Sequence, residues 1–298
     1  VFRPTSLLLA SAIFGSAVVA SAAAASAGTL RFGDAFSEPT ITVGKTHVMR
    51  PRSRWSLPAR YPLSGLLPYN GGLVERFPKI YLIYWGFGKY GDPSGEAKYL
   101  TNFMTGVGGS SWLNTVTQYY DAKGNIKNPS SQLAGVWNYN TIVPSGPSDS
   151  QIQAVAQRGV KHFGYNPNAT YFVMTPTGHN TGGFGTQFCA YHGAFSSGGH
   201  VVAYTNMPYI TDAGQACGQN FVNSGPSGLL DGVSIVAGHE QAEAITDPNP
   251  PSGWSGNYGE IGDLCAWASN STDISLSTGS FAVQPLWSDV NNNCVTSY

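Results

Sequence analysis

The sequence predicts an α/β fold, with α+β as the alternative: one domain over residues 79–298 with a central mixed sheet, flanking helices and a loop-rich C-terminal part. Three observations support this. The run IYLIYW at 80–85 is continuously apolar and rich in β-branched and aromatic residues, as in a strand buried on both faces. Downstream segments alternate between helical spacing and further short apolar runs, an order that builds layered sheet-and-helix domains. Hydrophobic residues make up 42% of the 298, enough for a full core, while only 10% are charged.

Each element has its own local reason. Gly86 and Gly88 end the first strand. Two helical patterns follow, 96–104 with Tyr99, Leu100 and Phe103 on one side, and 111–120 with Leu113, Val116 and Tyr120; Gly106 to Gly109 separate them. Residues 134–139 read as a second strand. A helix over 149–163 is expected because Ser148 and Asp149 can cap it and Ile152, Val155, Ala156 and Val160 recur at helical spacing. ATYFVMT at 169–175 is another strand, followed by a Gly-rich loop to Gly185; short strands are expected at 201–205 and 281–287.

The N-terminal part has a different character. Arg3 precedes an apolar run from Leu7 to Ala20, and Ala25-Ser26-Ala27 fits a signal-peptidase site, so residues 1–27 read as a signal peptide. The run falls short of the ~20 strongly apolar residues of a membrane span. Residues 28–78 carry seven basic residues against three acidic ones, with scattered prolines and little periodicity. They read as an extended basic arm or pro-segment, cut near Arg50 to Arg54, or as a plain linker or wall-adhering tail. Four cysteines suit an oxidising compartment, and the pairing Cys189–Cys217 with Cys265–Cys294 is expected because each closes a moderate loop. A four-thiolate zinc site would want a C-x-x-C pair, which the sequence lacks.

The formal net charge of -1 conceals an asymmetry: all 15 Lys and Arg lie at or before Lys161, whereas nine of the 16 acids follow it. Such a half suits metal ions or cationic partners and argues against nucleic acid, which needs a basic surface. Within it, GHEQAEAITDP at 238–248 follows the apolar VSIVA at 233–237. On one helix, His239 and Glu243 share a face and Glu240 sits one step round. Burying these groups far from any Lys or Arg calls for a cation.

Two expected metal ligands are therefore His239 and Glu243, and a third must come from elsewhere in the chain. Glu240 is the expected general base on a metal-activated water. Zinc is the expected metal; a glutamate at the i+4 position makes the site harder than a two-histidine one, which widens the choice towards calcium or manganese. His192 is a candidate electrophile or further ligand and Tyr191 a candidate oxyanion donor, both placed beside a Gly-rich loop. His179 and His200 are weaker candidates. Neither a G-x-S-x-G nucleophile elbow nor a phosphate loop occurs.

The segments IYLIYWG, SWLNTVTQYYD, YFVMT, FCAYHG, GHEQAEAITDP and GEIGDLC occur in the same order in the Exordium-like, or phosphate-induced, protein family. Over residues 78–294 the chain resembles a bacterial-type member. The resemblance implies a secreted, cell-wall or extracellular protein, plant members being associated with cell expansion, and it implies no catalytic mechanism. Plant members often read TNP where this chain has Thr246-Asp247-Pro248. Separately, Glu260-Ile261-Gly262-Asp263 is similar to the downstream acidic element of thermolysin-like zinc peptidases; the similarity implies Glu260 as third metal ligand and Asp263 as orienter or alternate ligand, and makes the expected domain zincin-like with HExxE in place of HExxH. The expected function is a secreted metal-dependent hydrolase of the peptidase type, monomeric, acting on a protein or peptide. The alternative is a non-enzymatic extracellular protein with a structural metal, binding cell-wall polymer through exposed Trp254, Trp267 and Trp287. Neither reading involves nucleic acid or, in the mature form, a membrane.

Overall fold

Strand Lys79–Trp85 sits between two parallel neighbours, and the rest of the sheet grows outward from it. The structure is a computed structural model that describes residues 46–52 and 66–298. All of these belong to one compact unit, Pro39–Tyr298. The expected signal peptide, and the parts of the expected arm at 28–45 and 53–65, lie outside the described residues.

In chain order the first elements are β1 (His47–Met49), β2 (Lys79–Trp85), α1 (Phe87–Tyr90), α2 (Glu96–Gly106), β3 (Tyr120–Asp121), β4 (Gly124–Asn125), β5 (Leu133–Tyr139) and α3 (Asp149–Phe163). Then come β6 (Ala169–Met174), β7 (Ala190–Ser197), β8 (His200–Met207), α4 (Asp231–Thr246), β9 (Thr272–Leu276), β10 (Gly279–Val283), β11 (Leu286–Ser288) and β12 (Asn293–Val295). Six strands form one mixed sheet in the order β1-β7-β8-β6-β2-β5. The four strands β5, β2, β6 and β8 run parallel, whereas β7 is antiparallel to β8 and β1 is antiparallel to β7.

Helix α3 covers one face of this sheet, and α2 and α4 pack on the other, so two apolar clusters flank it. β6 is buried at every position, which explains why its sequence is apolar without alternation. α3 begins where Ser148 and Gln151 form a reciprocal capping box and ends at Gly164. The mixed sheet with flanking helices is the α/β architecture expected.

Two local expectations are corrected. Residues 111–120 do not form an α-helix; Leu113–Gln118 is a 3-10 helix. There Thr115 and Thr117 donate their hydroxyls to the carbonyls of Trp112 and Asn114, three residues back. These bonds and the β-branched run Thr115-Val116-Thr117 favour the tighter turn. The strand expected at 281–287 is two strands, β10 and β11, interrupted at Gln284-Pro285, where proline lacks the N–H a ladder needs.

The disulfides are Cys189–Cys217 and Cys265–Cys294, as the sequence suggests. They span 28 and 29 residues, and loops of that length are worth roughly 3–4 kcal/mol each in the chain-entropy account. The first ties the residue before β7 to the 3-10 helix Ile210–Cys217, and the second ties Asp263–Cys265 to β12. No helix among the described residues is long and apolar enough to cross a membrane.

Candidate metal centre

Every one of the 16 residues of α4 is buried, so this helix has no solvent face. It runs through the middle of the layer between the sheet and the C-terminal strands, which fits its unbroken apolar start, Val233 to Ala237. Gly238 is required for that depth. A Cβ there would lie 2.9 Å from the Trp112 ring, inside any normal contact. The helix ends at Thr246, and Asp247 caps the following turn by accepting a hydrogen bond from the Gly253 N–H at 2.8 Å.

One helical turn separates His239 from Glu243, and the two side chains meet: His239 Nε2 lies 3.1 Å from Glu243 Oε1. The chain returns to them at Glu260-Ile261-Gly262-Asp263. Gly262 permits the close pass, since a Cβ there would be 2.7 Å from His239 Nδ1 and 3.0 Å from Glu243 Oε1. The Asp263 backbone N–H donates to Glu243 Oε1 at 2.9 Å, and Asp263 Oδ1 lies 3.6 Å from His239 Nε2. Donor atoms on a tetrahedral cation with bonds near 2.1 Å sit about 3.4 Å apart. The distances from His239 Nε2 to Glu243 and to Asp263 bracket that spacing, and the three donor atoms lie within 4.8 Å of one another, so this group could hold a metal ion.

Two further groups share Glu243. His192, Glu240 and Glu243 form one, with His192 Nδ1 at 3.2 Å from Glu240 Oε2 and 3.6 Å from Glu243 Oε2. His47, Glu243 and Glu260 form the other, with His47 Nδ1 at 3.3 Å from Glu243 Oε2 and 3.7 Å from Glu260 Oε1. His47 Nδ1 also lies 3.1 Å from Asp263 Oδ2, and His192 Nε2 lies 3.5 Å from Glu260 Oε2. All four expected ligands, His239, Glu243, Glu260 and Asp263, together with Glu240 and His192, thus converge on one place. Asp263 groups with the helix pair, while Glu260 groups with His47.

Several of these atoms are buried with no hydrogen-bond partner: His239 Nε2, His192 Nε2, Glu240 Oε1 and both carboxylate oxygens of Glu260. Buried polar atoms are nearly always partnered. A cation bound among them could partner these atoms. Among the described residues, Glu240, Glu243, Glu260 and Asp263 form their ion pairs with histidines, whereas the Arg76 guanidinium pairs with Asp121.

The protonation states express the same demand. Burial opposes charge on His239, but Glu243, Glu240 and Asp263 outweigh it and raise its pKa to about 10. His47 is likewise opposed by burial and raised to about 9 by Asp263 and Glu243. Burial and the Glu243 charge raise Asp263 to about 7. Burial and its carboxylate neighbours, Glu243 first, hold Glu260 well above the ordinary glutamate range. Glu243 goes the other way despite burial, because the His239 and His47 imidazoles favour its charged form. Without a metal ion, protons on these groups supply the positive charge that a divalent cation would bring.

Other candidates lie elsewhere. Tyr191 points away from the cluster: successive strand residues face opposite sides, so His192 enters the site while the Tyr191 hydroxyl donates to Asp149 Oδ1 at 2.9 Å. This removes Tyr191 as an oxyanion donor. His192 is on strand β7. His179 Nδ1 lies 3.0 Å from the Pro144 carbonyl oxygen, and His200 stacks on Tyr165. Trp254 and Trp287 are buried, their indole N–H groups donating to the Tyr120 carbonyl and Asp289 Oδ1, and Trp267 is half-buried. They are not the exposed platform expected for wall polymer.

Two functional residues had no visible signal in the sequence. Gln284 accepts a hydrogen bond from His239 Nδ1 at 3.2 Å while its own amide donates to the Gly262 carbonyl at 2.7 Å. The second is His47, which lies in the stretch expected to be an arm, yet β1 pairs with β7 and sets His47 opposite His192. A lone histidine in a Pro-rich, aperiodic segment carries no spacing that could link it to a helix almost 200 residues later; the separation from Glu243 is 196. No protein-family model, curated protein or solved structure matches the chain.

Proposed function

We propose that the chain is a secreted, metal-dependent hydrolase of the peptidase type. The observation that carries this reading is the convergence of His239 Nε2, Glu243 and Asp263 at donor spacing beside a glutamate with a free oxygen, Glu240 Oε1. A divalent cation held by the first three would supply Lewis acidity to a water molecule. Zinc suits the imidazole and two carboxylates, and the oxygen-rich shell also admits manganese or calcium. Glu240 would take the proton from that water. His192, with Nδ1 at 3.2 Å from Glu240 Oε2, acts as a positioning residue that leaves Oε1 free. Gln284 fixes the His239 tautomer, so that Nε2 offers its lone pair to the cation. The two disulfides are compatible with secretion, and the resemblance to Exordium-like proteins supports an extracellular or cell-wall location.

A second reading, a metal that only holds the domain together, is favoured by one observation. His192, His239, Glu240, Glu243 and Glu260 are all fully buried, and His47 closes their outer side with 24% of its own side chain exposed. The deciding experiment is elemental analysis of the purified protein together with turnover of a casein-type substrate. Turnover is compared between the wild-type chain and His47→Ala, which opens the outer side, each with and without Glu240→Gln. Stoichiometric metal with turnover that Glu240→Gln lowers by ~100-fold or more supports the hydrolase. Metal without turnover in either background leaves the structural role, and absence of metal overturns both.

A further inference from the structure

The site is closed on one side by a piece of extended chain, and the manner of its attachment points to what else could sit there. β1 is a three-residue edge strand, paired antiparallel with β7 in the register His47↔His192, Val48↔Tyr191, Met49↔Ala190. Alternation puts His47 and Met49 on the same side of the strand. His47 reaches the carboxylates of Glu243, Glu260 and Asp263 at 3.1–3.7 Å, and two residues on Met49 is fully buried in the core cluster with Cys189 and Ala190. Two anchors of this segment are to its backbone carbonyls. The Cys189 N–H donates to the Met49 carbonyl at 2.7 Å, and the Trp267 indole N–H donates to the Arg50 carbonyl at 2.7 Å. At its end the Arg52 guanidinium lies 4.6 Å over the Phe221 ring.

We infer that the outer edge of β7 is a docking edge for an extended peptide, and that residues 46–52 occupy it in cis and close the histidine–carboxylate cluster. Ladder and carbonyl contacts of this kind would hold any extended backbone, while alternate side chains supply selectivity. The peptide class follows from the two inward positions: an imidazole or cationic side chain facing the carboxylates, and a large apolar side chain two residues later in the Met49 pocket. Gly193, next to His192, keeps room for such a strand, since a Cβ there would lie 3.2 Å from Thr46 Cγ2. The inference deepens the peptidase reading and rests on it for the claim that the docked peptide meets chemistry; docking itself is measurable without turnover.

The test uses full-length protein and a fluorescein-labelled heptapeptide of residues 46–52, with binding read by fluorescence anisotropy. Met49→Asp expels the resident strand by placing a charge in an apolar pocket, and Arg52→Ala removes only the outer anchor. A resident strand competes at an effective concentration on the order of mM, so the heptapeptide should bind Met49→Asp at least ~10-fold tighter than wild type, with Arg52→Ala between them. A heptapeptide carrying Asp in place of Met49 should show no binding. Arg52→Ala keeps the test alive if Met49→Asp fails to fold. Equal binding to wild type and variants, or none to any folded variant, overturns the inference. A gain in binding without metal or turnover would sink the hydrolase reading and leave the docking edge standing.

Discussion

Gln284 holds His239 by Nδ1 at 3.2 Å, and that contact decides which imidazole nitrogen faces Glu243. Because the Gln284 amide N–H donates to the Gly262 carbonyl, its oxygen is left to accept from the ring. Gln284→Leu should keep the fold and lower metal affinity by roughly 10–100-fold, the usual cost of losing an orienting partner of a ligand histidine. Competition against a chromophoric chelator measures it; unchanged affinity would show that His239 is not a ligand through Nε2.

Gly262 makes a second, steric prediction. Its missing side chain is the space through which the Glu260–Asp263 turn meets the helix, a Cβ being 2.7 Å from His239 Nδ1. Gly262→Ala should destabilise the protein by about 1–3 kcal/mol through overpacking. It should also weaken metal binding by displacing Asp263. Thermal unfolding with and without added zinc reads both effects.

Metal binding should strengthen as pH rises. His239 and His47 have pKa values raised to about 10 and 9, so both hold protons at neutral pH in the metal-free protein. A cation must displace the His239 proton, and each proton released makes affinity rise ~10-fold per pH unit below the raised pKa. Calorimetry at about pH 6, 7 and 8, in buffers of differing ionisation enthalpy, should show proton release on binding. Proton uptake, or affinity that falls with pH, would contradict the ligand assignment.

Glu75 predicts a pH effect on stability away from the site. It is fully buried, accepts a hydrogen bond from the Thr170 hydroxyl at 2.8 Å, and burial raises its pKa from 4.5 to about 8. The folded state then binds this proton more tightly than the unfolded state. Its contribution is fully present below pH 4.5 and is lost as pH rises towards about 8. Glu75→Gln should therefore stabilise the protein at about pH 8 by roughly 1–4 kcal/mol and have little effect near about pH 4. Urea unfolding at the two pH values tests this; equal effects at both would show that Glu75 is ionised in the fold.

The sequence alone carried what depends on local pattern. The β2 run, the α3 cap at Ser148 and Gln151, and the helix through His239, Glu240 and Glu243 follow from periodicity and capping, which act over a few residues. The disulfide pairing was also legible because each bond closes a moderate loop, and Glu260 and Asp263 were legible through the likeness of their segment to the acidic element of thermolysin-like peptidases. Tertiary structure alone decided the rest. Tyr191 and His192 were separated by the alternation of a strand whose small residues hid it, and Leu113–Gln118 tightened through side-chain bonds to its own backbone. Gln284 and His47 joined the site from 45 and 192 residues away from His239, one by a strand break and the other by edge pairing. Sequence spacing encodes neither event, because cross-strand partners are chosen by packing and not by separation along the chain.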